Sequence, residues 1–328
     1  MCIKFLHTYN DIISLENLLE AWVEFVKGKR KRKDIREFEL RLMNNIISLH
    51  KDLVSKTYRH SAYESFKIND PKPRNIHKAS VRDRLLHHAI YRKLYSFFDK
   101  TFISDSFSCR LNKGTHRALN RFRSFVWKVS KNNTKTCWIL KCDVKKFFAS
   151  INHEILMSIL DKYIQNGDIL WLLNQIIESF CSVKRGVGLP LGNLTSQLLV
   201  NIYMNEFDRF VKHKLKIKYY IRYCDDFTIF SKEKNWLENL IQPVKNFLWN
   251  KLKLTLPPNK IFIKTSASGI DFLGWSHFPD HRVLRTTTKK RMIKRIKESP
   301  TMETINSYLG LLKHGNTWKL RQEIMNLL

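Results

Sequence analysis

Acidic residues are scarce in this 328-residue chain: 29 Asp and Glu stand against 59 Lys and Arg, a formal net charge of +30. The cations run from Lys27 to Lys319 instead of gathering in a tail. Such a balance marks a partner of polyanions, with nucleic acid ahead of a membrane surface because no basic amphipathic helix dominates. Long apolar runs are missing as well. Stretches such as Ile169 to Leu173 are far short of the roughly 20 residues a bilayer helix needs, and the opening Met-Cys-Ile-Lys-Phe-Leu-His has no signal-peptide core. Neither export nor membrane insertion is expected. The six cysteines (Cys2, Cys109, Cys137, Cys142, Cys181, Cys224) form no Cys-x-x-Cys pair and have no histidine at zinc-ligand spacing. They are expected to be reduced thiols in the cytoplasm. No repeat or low-complexity segment occurs, and 43% hydrophobic residues argue against a disordered basic protein. The length suits two or three subdomains.

Along the chain, Leu15, Leu18, Leu19, Trp22, Phe25 and Val26, then Phe38, Leu42, Ile46, Leu49 and Leu53, recur at helical spacing and predict two helices. The cluster Lys27-Gly28-Lys29-Arg30-Lys31-Arg32-Lys33 separates them, either as a solvated linker or as a phosphate contact. Tyr58 to Ile68 alternates as a strand would, and Asp70-Pro71-Lys72-Pro73-Arg74 reads as a turn. Ser80 then caps a helix, with Asp83 three residues on. Lys72, Arg74, Lys78, Arg82 and Arg84 fall around that helix start, a candidate cradle for a triphosphate. Ser106 to His116 reads as a loop before a helix at Ala118, with His116 as a loop hydrogen-bonder before a catalytic group.

Two stretches carry candidate chemistry. Thr136 to Asp143 is an apolar strand ending in an acid, which is costly to bury unless something positive meets it. Tyr219 to Phe230 reads as strand, turn, strand with Asp225 and Asp226 at the turn. Alone, the second would pass for a solvated turn, since adjacent side chains point to opposite faces unless the turn re-aims one. If the two strands are neighbours in one sheet, three carboxylates can converge on a pair of hard cations. Between them Arg185 to Gln197 is glycine-rich and precedes an apolar helix through Leu198, Ile202 and Phe207. Beyond, Trp236 to Leu248 predicts an amphipathic helix, Leu254 to Lys260 a loop, Gly269 to Trp275 a short strand and turn, and Lys289 to Leu328 a helical, basic end.

With Asp143-x-x-x-Phe147-Phe148, Gly192-x-x-x-Ser196 and Tyr223-Cys224-Asp225-Asp226 in this order, the chain resembles a reverse transcriptase over nearly its whole length. The resemblance implies an α+β right-hand polymerase: a basic helical extension over residues 1–54, fingers and antiparallel-sheet palm over 55–284, and a helical thumb over 285–328. It implies an RNA-directed DNA polymerase in which Asp143 and Asp225 bind two Mg²⁺ ions, with Mn²⁺ a possible substitute, and Asp226 supports them from the edge. Phe148 would be the aromatic gate against a ribose 2′-hydroxyl, although Phe147 could be the inward ring instead. Lys72, Arg74 and Gly192 would meet the deoxynucleoside triphosphate, and Lys260 the leaving pyrophosphate. Lys29, Arg30, Arg110, Lys113, Lys289, Lys290, Arg291 and Arg295 would contact template RNA and the RNA–DNA hybrid.

Leu191 before the glycine and Gln197 after Ser196, where many bacterial relatives have Gln and Pro, look like the enzymes of diversity-generating retroelements. That resemblance implies error-prone copying of a template-repeat RNA, concentrated at adenines, for mutagenic retrohoming. It also implies a small basic accessory variability protein and a bacterial or phage source. The alternatives are another prokaryotic reverse transcriptase (of retron, intron-derived or phage-defence type) or a non-catalytic RNA-binding relative.

Overall fold

The N-terminal helices begin where short polar side chains can cap them. Thr8 accepts from the Asp11 amide and the Asp11 carboxylate accepts from the Thr8 amide, closing a capping box on helix Tyr9–Ile13. Ser14 caps Leu15–Phe25, whose Leu18, Ala21, Trp22 and Phe25 are buried on one face. The expected second helix is two, Lys33–Glu39 and Leu42–Val54. Arg41 leaves helical geometry between them, and the Asn45 side-chain amide satisfies the Phe38 carbonyl at 2.9 Å.

The computed structural model describes residues 3–69 and 73–326. The chain divides into two units: Met1–Ile103, Lys145–Phe210 and Asn246–Thr255 make the first, and Ser104–Val144, Val211–Lys245 and Leu256–Leu328 the second.

In the first unit, helix Leu194–Arg209 is buried on almost every side and packs on Val81–Thr101, which in turn packs on Leu15–Phe25. Strand β1, Glu64–Ile68, pairs antiparallel with β2, Arg74–Lys78, with Phe66 opposite Ile76. The strand expected from Tyr58 is therefore six residues shorter at its start. Buried Asp83 draws those residues away from pairing, taking hydrogen bonds from the Tyr58 hydroxyl at 2.8 Å and the Ser61 amide at 3.1 Å. Ser80 caps Val81–Thr101 as expected. The expected turn at Asp70, Pro71 and Lys72 lies outside the described residues.

The second unit contains a four-stranded antiparallel sheet of β3 (Trp138–Asp143), β4 (Tyr220–Tyr223), β5 (Asp226–Ser231) and β6 (Ile261–Thr265), in the order β4-β5-β3-β6. On one face of β3 lie Ile139, Lys141 and Asp143, opposite Phe230, Thr228 and Asp226 of β5. That face passes from apolar to charged along its length. A second sheet holds β7 (Ile270–Phe272), β8 (Trp275–His277) and β9 (Arg282–Leu284). Its first turn is the expected one at Gly269 to Trp275, while β9 had no counterpart among the expected elements. Phe122, Ile139, Phe230, Phe272, Trp275, Met292 and Ile305 share one hydrophobic core. The basic end folds as Thr286–Glu298, Met302–Leu312 and Trp318–Met325. Among the described residues no helix is long and apolar enough to cross a membrane.

Candidate active site

The pairing register brings the acids together. Asp143 ends β3 directly opposite Asp226, the first residue of β5, and the Val144 amide donates to the Asp225 carbonyl at 3.3 Å. Tyr223 pairs with Asp226, leaving Cys224 and Asp225 as a two-residue turn. Cys224 has φ +58°, the left-handed region that a residue with a side chain seldom enters. The fully buried Arg222 donates from Nη1 to the Cys224 carbonyl at 3.0 Å, while its own backbone bonds to Asp105 and Phe107. Because Asp225 lies in the turn, the strand alternation that would send adjacent acids to opposite faces does not apply to it.

Two ammonium groups meet these carboxylates. Lys260 donates to Asp143 Oδ2 at 2.6 Å, and Lys141 pairs with Asp226 Oδ2 at 2.9 Å. Burial, then the charge of Asp143, pushes the Asp225 carboxyl up to about 6. Asp226 is also raised by burial, against the pull of Lys141. Its Oδ1 is buried without a hydrogen-bond partner among the described residues, an arrangement that costs free energy until a partner arrives.

Among the described residues no three His, Cys, Asp or Glu side chains close into a ready ligand cluster. The donor set nevertheless fits a hard divalent cation: it consists of carboxylate oxygens, one buried and unsatisfied, and it lacks the sulfur and imidazole donors a softer metal prefers. Lys141 was not among the sequence candidates. Its signal was present, since a residue two before Asp143 on a strand shares its face.

The first unit holds the remaining triphosphate and template candidates. Arg74 opens β2 and is exposed, and Lys72 lies outside the described residues. Three members of the expected cradle are committed elsewhere: Lys78 to Asp34 at 3.0 Å and Glu64 at 3.2 Å, Arg84 to Asp34 at 2.6 Å, and Arg82 to Asp52. Spacing along the sequence could not reveal those distant acids. Phe147 is the buried ring and Phe148 is half-exposed, 5.7 Å from it between centroids.

Gly192 has φ +113°, and a Cβ there would stand 2.8 Å from Ile76 Cγ2. On either side of it the Leu191 carbonyl accepts from the His77 amide at 3.0 Å, and Asn193 donates to the His77 carbonyl at 3.1 Å. The segment is thus fastened to β2. Ser196 is buried and Gln197 half-buried on the helix that follows.

The basic candidates are spread over both units. Lys29 donates to the Phe25 carbonyl at 2.8 Å, Arg30 pairs with Glu39 at 3.1 Å and Lys289 with Glu323 at 3.3 Å. Arg110 and Lys113 bond to the Ser106 and Ser104 carbonyls. Lys290, Arg291 and Arg295 lie on helix Thr286–Glu298. His116 is not in a loop: the helix starts at Gly114, four residues before the expected Ala118, and the His116 ring stacks on His314 with centroids 3.5 Å apart.

A mixed helical and antiparallel-sheet chain with carboxylates at the hairpin end of its central strands has the fold of a right-hand polymerase. Residues 66–277 match the family model described as reverse transcriptase (RNA-dependent DNA polymerase), and the chain belongs to that family. It is 23% identical to protein YkfC of Escherichia coli over 284 residues, covering 74% of this chain and 71% of that protein. It is 25% identical to the group II intron-encoded protein LtrA of Lactococcus lactis over 313 residues, covering 75% of this chain and 50% of LtrA. A putative COX1/OXI3 intron 2 protein of Saccharomyces cerevisiae is 21% identical over 345 residues, covering 85% of this chain and 38% of that protein. The chain thus spans about half the length of LtrA, and less of the yeast protein. Membership makes it an RNA-directed DNA polymerase, acting on an RNA template and deoxynucleoside triphosphates with divalent metal ions.

Proposed function

We propose that polymerisation takes place at Asp143, Asp225 and Asp226, with Asp143 and Asp225 holding two Mg²⁺ ions, Mn²⁺ as a substitute, and Asp226 supporting them from the edge. The observation that supports this most is the register of Asp143 against Asp226 with Asp225 in the adjoining turn. Cations at these oxygens would acidify the primer 3′-hydroxyl and neutralise charge on the phosphates. The chain's own groups would do the rest. Lys260, now on Asp143, would meet the leaving pyrophosphate; Lys72 and Arg74 would hold the triphosphate, with Gly192 letting the backbone approach it. Phe148 would exclude a ribose 2′-hydroxyl, a role consistent with its exposure beside the buried Phe147. Lys29, Arg30, Arg110, Lys113, Lys289, Lys290, Arg291 and Arg295 would contact the template and hybrid backbones. We assign residues 1–54 to a basic extension, 55–284 to fingers and palm, and 285–328 to the thumb.

The biological role we propose is that of a diversity-generating retroelement: error-prone cDNA synthesis from a template-repeat RNA in a bacterial or phage-infected cytoplasm, with a small basic accessory protein. Leu191 and Gln197, flanking Gly192 and Ser196, support it. A glutamine at 191 could hydrogen-bond near the nascent pair, whereas leucine leaves discrimination there to shape. Loss of a hydrogen bond worth roughly 1–2 kcal/mol relaxes selectivity about 5- to 30-fold. The tie between the Leu191 carbonyl and β2 gives that side chain a fixed backbone to act from.

The test is to sequence cDNA made on a supplied RNA by the wild type and by Leu191→Gln. Fewer adenine errors with synthesis retained is the expected result. An unchanged error spectrum would overturn the part given to Leu191, and a wild-type spectrum without adenine errors would overturn the retroelement role, neither touching the polymerase assignment.

A further inference from the structure

Lys141 is held from three strands at once. It stands on β3 two residues before Asp143 and so on the same face, and its ammonium reaches Asp226 Oδ2 on β5 at 2.9 Å and the Asp271 carbonyl on β7 at 2.6 Å. It also lies 5.7 Å from the centre of the Phe272 ring. The Asp271 anchor is itself braced: its side chain accepts from Ser276 Oγ at 2.6 Å and pairs with Arg285 Nε at 2.8 Å. An ammonium tied to a backbone carbonyl in a braced strand cannot follow a carboxylate that rotates. Asp226 therefore keeps Oδ2 on Lys141 and leaves Oδ1 as the oxygen without a partner. Lys260 differs. It touches Asp143 from the end of the short turn Pro258–Lys260 and is itself 39% exposed, so it can swing away at small cost.

We infer that Lys141 is a positioning residue for the proposed cation site, fixing the Asp226 carboxylate through the β7–β8 hairpin so that Oδ1 alone is presented. This rests on the assignment of Asp143, Asp225 and Asp226 made above. Groups that orient a metal-binding carboxylate typically contribute about 10- to 100-fold in metal affinity or activity. The opposite effect is also physically available: an ammonium beside a cation site competes with the cation, and its removal would then tighten binding.

Calorimetric titration of Mn²⁺ into the full chain, without nucleic acid, separates the two. With Lys141→Met, positioning predicts Mn²⁺ binding weaker by about tenfold and primer extension reduced to a similar extent, both read well below the variant's own thermal midpoint. Lys141→Arg restores part of both. In an Asp226→Asn background Lys141→Met has no further effect, because the residue acts through Asp226. Unchanged or tighter Mn²⁺ binding, or a full additional loss in that background, overturns the inference. Should Lys141→Met not fold, Lys141→Gln keeps a donor for the Asp271 carbonyl and is read in the same way. Failure of the underlying site assignment has a separate signature, full activity of Asp225→Asn.

Discussion

Asp83 is buried and Asp225 half-buried, yet their environments drive them in opposite directions. Burial alone would push the Asp83 carboxyl up, but the charge of His60 and hydrogen bonds from Ser80, Tyr58 and Ser61 hold it below its ordinary value. The Ser80 hydroxyl stands at 2.6 Å and the Tyr58 hydroxyl at 2.8 Å. Asp225 has burial and the charge of Asp143 acting together, and its carboxyl rises to about 6. One acid is satisfied by the protein and ties together the loop from Tyr58 to Ser61 and the start of helix Val81–Thr101. The other is left electrostatically unfinished, as a group is when its partner arrives with the reaction. Burial raises both carboxyls, so the donors around Asp83 and the charge beside Asp225 are what set them apart.

The largest stability difference should follow from exchanging each acid for its amide. Asp83→Asn leaves donors around an amide that cannot accept them all, and we expect a loss of about 2–4 kcal/mol in denaturant unfolding. Asp225→Asn relieves repulsion and should leave stability unchanged or raised. Equal losses from both would contradict opposite environments for the two acids.

A smaller effect comes from His87, which stacks on His60 and is pushed down to about 3, by burial first. A histidine whose folded value lies below its unfolded value of 6.5 favours the folded state above pH 6.5 and loses that contribution progressively as the pH falls toward 3. Lowering the pH from about 6.5 to about 5 should therefore destabilise the wild type by on the order of 1 kcal/mol, and His87→Leu should flatten that slope in thermal unfolding. The smallest change is expected at Arg82→Gln. Its pair with Asp52 is partly exposed, and removing it should cost no more than about 1 kcal/mol, measured in the same unfolding experiment.

Much of the candidate chemistry was legible in the sequence, because strand chemistry is local. The apolar run into Asp143, the aromatic run into Asp225 and the glycine at 192 each mark an element boundary. Lys141 was legible in principle from the two-residue period of β3. Asp83 and its neighbours were not: Tyr58 and Asp83 are 25 residues apart, and only the folded chain shows that the serine and acid expected to cap a helix also hold a loop. The ion pairs of three cradle residues were hidden for the same reason. Lys78, Arg82 and Arg84 are close in sequence, but their acids, Asp34, Asp52 and Glu64, come from elsewhere in the fold.

On the function proposed above, Asp225 is a reacting-site carboxylate and not a structural one. Primer extension on an RNA template, comparing wild type with an Asp225→Asn protein of matched thermal midpoint, tests it directly. The expected result is a loss on the order of a thousandfold, since several kcal/mol of charge stabilisation depend on that carboxylate. Equal extension by the two proteins would contradict it.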